Sequence, residues 1–312
     1  MLGTGERGTL LGPWHVYDND GSYNGWFDWM PRWMRVGPWH PTAVLMIIMF
    51  YSAVVLLRPP MTNKFPIVQT DDFGLAADVA VIAWTSFVVA KSWRRYNGAR
   101  PYVISFTGWS WTLLILRAGC SAASNLLLNR PPAAVQGFAQ PLGLALGIAG
   151  SALHFPAFVG AVVTFSIWNL ILFPLLYFFA KKRTSFMTRK QFLRFNFSFF
   201  MTNIHFFNLP LACVNVVFGC GARPLEDVDL WLGFVVAALY SIVYLFGLDR
   251  LGLHFYPIFN PRTAFSGISY GLLFLLYYQI FKLGNYVIAL QLGCSAPPPP
   301  PPASAWWGGI FS

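Results

Sequence analysis

The residues best suited to chemistry in this chain lie inside its apolar runs. His205 stands in Asn203-Ile204-His205-Phe206-Phe207-Asn208-Leu209-Pro210, a segment greasy enough to sit in lipid. An ionisable side chain at bilayer depth costs roughly 2.5–3.5 kcal/mol on insertion scales for charged types, so such a residue marks a functional site by default. In an apolar surround the neutral imidazole is the favoured form, and a neutral ring nitrogen can take the proton of a hydroxyl. An alcohol with such a base beside it becomes a nucleophile. Two hydroxyls compete for that role: Thr107 in Phe106-Thr107-Gly108-Trp109-Ser110, and Ser166 in Thr164-Phe165-Ser166-Ile167-Trp168-Asn169. Depth along the helices does not choose between them. Their ordinary structural roles stay open too, since Ser and Thr in membrane helices commonly bond a carbonyl one turn back. His205 can likewise simply donate to a carbonyl. Asn203 and Asn208 can tie helices together, and Asn208, three residues after His205, falls on the same helix face.

The elements that must position these groups read as transmembrane helices. The chain is 56% hydrophobic, 18% aromatic and 10% charged, with mean hydropathy +0.53, whereas soluble domains carry about 25% charged residues. Apolar runs at 43–57, 74–90, 102–118, 157–180, 196–218, 229–248 and 264–282 predict an all-α polytopic transmembrane helix bundle of about seven spans, with six to eight compatible. Each is an unbroken run rather than the alternating pattern of a barrel strand. Residues 141–180 are too long for one crossing, and Pro156 divides them, so 141–154 is expected as a half-helix or interfacial segment.

The net charge of +10 follows the positive-inside pattern rather than that of a nucleic-acid binder. Inside fall Arg7, Arg32, Arg35, the basic loops around Lys91–Arg100 and Lys181–Arg194, Arg250 and Arg262. Outside fall Arg58, Lys64, Arg117, Arg130 and Arg223, with Lys282 near the outer end of the last helix, where its stem can snorkel. The N-terminus is thus expected inside and the C-terminus outside. With no cleavable signal peptide legible before the first run, the expected location is the endoplasmic reticulum or another endomembrane, with the plasma membrane as the alternative.

Three regions follow: a Trp-rich cytosolic or interfacial leader at 1–41, the helix bundle at 42–292, and a Pro-rich tail at 293–312. The five histidines are dispersed and form no ligand spacing, so neither a metal nor a cofactor is expected. No phosphate-cradling loop and no nucleic-acid motif is present. Among the four cysteines, Cys120 and Cys220 would share the outer side and could pair. Asp78 and His205 together would suit a proton relay, a transporter feature, but no internal repeat accompanies them.

A base and a hydroxyl inside the bilayer would meet esters already dissolved there, so the expected partners are membrane lipids and the expected substrate a lipid ester. At these residues the chain resembles a known family. Phe106-Thr107-Gly108-Trp109-Ser110-Trp111-Thr112-Leu113 resembles the F-T-x-W-x-x-x-L segment of rolling-stone-like proteins and of the androgen-induced and androgen-dependent transmembrane hydrolases. His205-Phe206-Phe207-Asn208 is similar to the H-x-x-N of the rolling-stone branch, and His205 with Leu209-Pro210 to the H-x-x-x-L-P of the hydrolase branch. Leu253-His254-Phe255-Tyr256-Pro257-Ile258-Phe259 looks like the family's aromatic-Tyr-Pro signature. The likeness covers about residues 100–285. It implies an intramembrane Thr–His pair that hydrolyses fatty acid esters of hydroxy fatty acids. Thr107 would be the nucleophile and His205 the base, with Asn208, Trp109 and Asn203 in support. Ser166 then belongs to the intervening V-T-x-x-x-W segment. Phe206 stands where the hydrolase branch tends to have Thr, and the rolling-stone branch implies a non-enzymatic fusion factor or scaffold instead.

Overall fold

A computed structural model describes residues 38–59, 72–93, 104–131, 136–179, 189–249 and 256–291. The leader up to 37, the basic loops at 94–103 and 180–188, and the Pro-rich tail lie outside the described residues. Within them every regular element is helical. In chain order these are α1 Pro41–Leu56, α2 Asp72–Trp93, α3 Phe106–Asn129, α4 Gln136–Ala152 and α5 His154–Ser166. A π-helical stretch π1, Ile167–Leu172, leads into α6, Phe173–Phe179. The next run comprises α7 Arg189–Asn196, α8 Phe199–Thr202, π2 Asn203–Phe207 and α9 Asn208–Phe218. The last comprises α10 Asp227–Ile242, π3 Val243–Leu248, a 3₁₀ turn Pro257–Phe259 and α11 Ala264–Gln291. Six helical runs are long and apolar enough to cross a membrane, and α1 is a seventh, shorter apolar helix. The protein is therefore a polytopic helical membrane bundle.

The third crossing is longer than its apolar run at 102–118. α3 continues to Asn129 because Ser121, Ala122 and Ser124 form a small-residue face rather than a solvent loop. That face receives α4. The Ser124 hydroxyl donates to the Gly143 carbonyl at 2.7 Å, and a Cβ at Gly150 would lie 2.6 Å from the Ser121 hydroxyl oxygen. Further along, a Cβ at Gly160 would lie 3.1 Å from Ser110 Oγ. Small residues thus let α4 and α5 run antiparallel along the whole of α3. The segment expected at 141–154 as a half-helix or interfacial segment lies mainly within α4, a short helix that packs on α3 beyond Arg117 and continues after a break into α5. The division comes at Leu153, not at Pro156. A proline ring excludes the carbonyl four residues back, here Ala152, while Pro156 itself sits in the first turn of α5, where its missing N–H costs nothing.

Two buried polar layers bracket the core. In the outer one, Arg117, 1% exposed, donates to Asp78 at 3.2 Å, to the Asn215 carbonyl at 2.6 Å and to the Cys220 carbonyl at 2.9 Å. Beside it Arg223 holds Asp229 through two bonds of 2.7 Å. Neither Arg117 nor Arg223 is therefore the outer-loop charge that the sequence suggests; both are buried in ion pairs. Asp78, spent on Arg117, is not joined to His205, so the proposed relay does not form. The inner layer joins Asp249 to Arg262 and to the indole N–H of Trp39. Asp229, in the first turn of α10, and Asp249, which caps the end of π3, are 20 residues apart (249 − 229). At 1.5 Å per residue this is about 30 Å, one hydrocarbon thickness. Cys120 and Cys220 are free thiols, the former lying against α4 at Gly150.

Candidate functional site

α3 and the α8–π2–α9 run lie parallel, and three polar contacts between them share one sequence offset of 98 residues. Thr107 Oγ1 lies 3.4 Å from His205 Nε2. The Asn208 amide donates to Ser110 Oγ at 3.1 Å, and Arg117 donates to the Asn215 carbonyl. Leu114 and Ala212, both fully buried in one apolar cluster, occupy the intervening level. The spacing of three, four and three residues on each helix is that of a coiled-coil seam.

His205 is 6% exposed and held on three sides. Its Nδ1 is 3.2 Å from the Met201 carbonyl. A carbonyl can only accept, so Nδ1 carries the proton and Nε2 offers its lone pair to Thr107. The ring stacks on Trp168 with centroids 4.1 Å apart and planes 14° from parallel. Trp168 is anchored in turn by its indole N–H to Asn196 at 2.7 Å. The 3.4 Å separation is longer than a formed hydrogen bond, as catalytic contacts often are before substrate binds.

Thr107 opens α3. Ser105 caps that helix by accepting the Gly108 N–H at 3.0 Å, and the Phe106 N–H donates to the Tyr256 phenol at 3.1 Å. The same phenol interacts with the Thr107 and Tyr240 hydroxyls, while Tyr240 donates to the Ile104 carbonyl at 3.1 Å. Two elements distant in sequence thus meet at the first turn of α3.

The three π-helical stretches among the described residues border this place. π1 carries Trp168, π2 carries His205 and π3 carries Tyr244. Such insertions concentrate at functional sites. Two have a visible cause. Pro174 and Pro210 follow π1 and π2 by two or three residues and supply no N–H, so the ladder upstream loses a donor. Before Pro174 the bonding shifts one residue, with the Phe173 N–H on the Trp168 carbonyl. Before Pro210 the His205 carbonyl is satisfied across helices by the Asn169 amide at 2.9 Å. No proline accompanies π3.

Between π1, π3 and the first turn of α3 lies a cavity of about 70 Å³, which His205 meets only through Thr107 and Trp168. Its polar wall includes Thr107, Thr164, Tyr256 and Ser241, and its larger apolar wall includes Phe50, Phe106, Val163, Leu172, Ala237 and Leu273. Tyr240 lines it as well, 11 residues below Asp229, which sets the cavity about 16 Å inside the outer polar layer.

The structure brings Thr107 and His205 together, with Asn208 one rung above. Trp109 packs edge-on against Tyr240 at 5.4 Å. Asn203 faces another helix, accepting the Trp84 indole N–H at 2.9 Å, and so braces the base-bearing helix rather than the pair. Ser166 closes α5 and is not among the residues lining the cavity. The sequence reading placed Tyr256 in a helix-end signature without giving it a partner, and it passed over Thr164 and Trp168 within the V-T-x-x-x-W segment. Among the described residues no three His, Cys, Asp or Glu side chains converge as metal ligands. Comparison with family models, with curated proteins and with solved structures found no match to this chain.

Proposed function

We propose that this protein is an intramembrane lipid ester hydrolase of the androgen-induced and androgen-dependent type, acting on fatty acid esters of hydroxy fatty acids in an endomembrane. The carrying observation is the Thr107–His205 contact at 3.4 Å, with the ring's second nitrogen bound to a carbonyl, where Thr107 and the Trp168 stacked on the imidazole line an apolar cavity. In this reading His205 Nε2 takes the Thr107 proton as Oγ1 forms a bond to the ester carbonyl carbon. Collapse breaks the bond to the alkyl oxygen, which leaves with the proton from His205 as a hydroxy fatty acid. Water, deprotonated by the same nitrogen, then releases the second fatty acid from Thr107. The Met201 carbonyl serves where a carboxylate would elsewhere orient the base. The stacked indole of Trp168 offers its π-face to the imidazolium that forms in each half-reaction.

The depth of the cavity suits an ester carried in the middle of an acyl chain rather than one at the headgroup. The test is hydrolysis of such a branched ester by the purified protein beside Thr107→Ala and His205→Ala. Each substitution is expected to lower kcat by about 100-fold or more. Full activity in either variant would overturn the mechanism.

A second reading has one observation in its favour. The Thr107–His205 contact is a member of a ladder whose other rungs, Asn208–Ser110 and Arg117–Asn215, need no catalytic purpose. In that reading the chain is a rolling-stone-like scaffold. Both alanine variants would then lose stability alone, and the purified protein would leave the ester intact.

A further inference from the structure

Hydroxyls inside these helices are mostly spent on their own backbone. Thr85 donates to the Val81 carbonyl at 2.6 Å, Thr112 to that of Gly108 at 2.9 Å, and Ser241 to that of Ala238 at 2.8 Å. Thr164 differs. It is 4% exposed, its hydroxyl has no hydrogen-bond partner, and the residue is one of those lining the cavity. A buried hydroxyl left unbonded is destabilising, although the Gly160 carbonyl one turn back is the usual acceptor.

The position of this residue gives the unspent donor a use. α5 runs antiparallel to α3, with Gly160 against Ser110. One turn further along α5 brings Thr164 to the level at which α3 carries Phe106 and Thr107. Thr164 and Thr107 line the same cavity from two different helices. An acyl carbonyl held against Thr107 would therefore have an unoccupied donor beside it, whereas the Ser241, Tyr240 and Tyr244 hydroxyls on the same wall are already bonded.

We infer that Thr164 is a third catalytic residue, whose hydroxyl donates to the ester carbonyl oxygen and to the oxyanion formed when Thr107 attacks. This inference rests on the hydrolase reading above. No atom changes hands at Thr164: its proton stays on Oγ1 while negative charge builds on the substrate oxygen and returns to the carbonyl. Its effect is thus confined to the transition state and appears in kcat.

The experiment compares wild type, Thr164→Val, Thr164→Ser and Thr107→Ala in one detergent. Hydrolysis of a C16 fatty acid ester of hydroxystearic acid is followed beside thermal unfolding. Valine keeps the shape of threonine and removes the unbonded hydroxyl, so Thr164→Val is expected to unfold no earlier than wild type. Its kcat is expected to fall about 100- to 1000-fold, as for loss of one oxyanion donor, with KM nearly unchanged. Thr164→Ser is expected to recover most of the rate. A Thr164→Val enzyme within about threefold of wild type, alongside an inactive Thr107→Ala, would overturn the role of Thr164 alone. A rate loss accompanied by earlier unfolding, and not restored by serine, would overturn it in favour of packing. A wild-type protein that does not hydrolyse the ester would overturn the hydrolase reading and this inference with it.

Discussion

At the scale of single residues, the geometry depends on groups that the sequence marks unequally. Thr107 and His205 are legible by type, because a base and an alcohol inside apolar runs are costly unless employed. Tyr256 and Thr164 are not, since their meaning lies in what faces them: a helix N-terminus in one case, and nothing polar in the other. Tyr256 gives a stability prediction that is independent of activity. Its phenol oxygen accepts the Phe106 N–H at the start of α3. Tyr256→Phe leaves that buried donor unpaired, an expected cost of about 1–3 kcal/mol, read as a lower Tm in the same detergent. An unchanged Tm would show that the N–H finds another acceptor.

Among the elements, the seven apolar runs all appear as helices in order, six of them long enough to cross and α1 shorter, and it is their ends that differ from the hydropathy pattern. The apolar run at 102–118 stops short because Gly119-Cys120-Ser121-Ala122-Ala123-Ser124 looks like the approach to a loop by hydropathy. These residues are small so that α4 can approach. Pro156 suggested a boundary at itself, whereas its steric effect falls four residues upstream. The π-helical stretches leave only an indirect trace, the prolines at 174 and 210. That trace supports a prediction. Pro210→Ala restores an N–H opposite the Phe206 carbonyl and favours an α-helical path through 203–207. His205 would then turn away from Thr107. Hydrolysis should fall about 100-fold, as an ångström of misplacement can cause, while the Tm holds or rises. A fully active variant would mean that the π2 geometry does not set the pair.

For the whole molecule, the charges that seemed to report topology partly report cohesion. Arg117 sits where α2, α3, α5, α9 and the turn after α9 converge, bonded to Asp78, His154 and two carbonyls. Arg117→Met strands Asp78 without its partner and should cost about 3–5 kcal/mol. Pairing it with Asp78→Leu should recover much of that loss, and the two Tm values measure the difference. Taking Arg117 and Arg223 out of the outer count and the ion-paired Arg262 out of the inner one leaves the charge asymmetry pointing the same way, so the expected orientation keeps the N-terminus inside. Cysteines placed at exposed Arg130 and at Lys190 should then react with a membrane-impermeant maleimide from opposite faces of sealed vesicles.

The two ion-pair layers also act as a ruler. Asp229 and Asp249 are fixed on one stiff helical run, so the protein cannot shorten its apolar girdle to follow a thinner bilayer or stretch it to follow a thicker one. The lipids must do the adapting, at a cost of fractions of a kcal/mol for each ångström of mismatch. Reconstitution in phosphatidylcholines of graded tail length should therefore give a stability optimum near a 30 Å core, with losses on both the short-tailed and the long-tailed side.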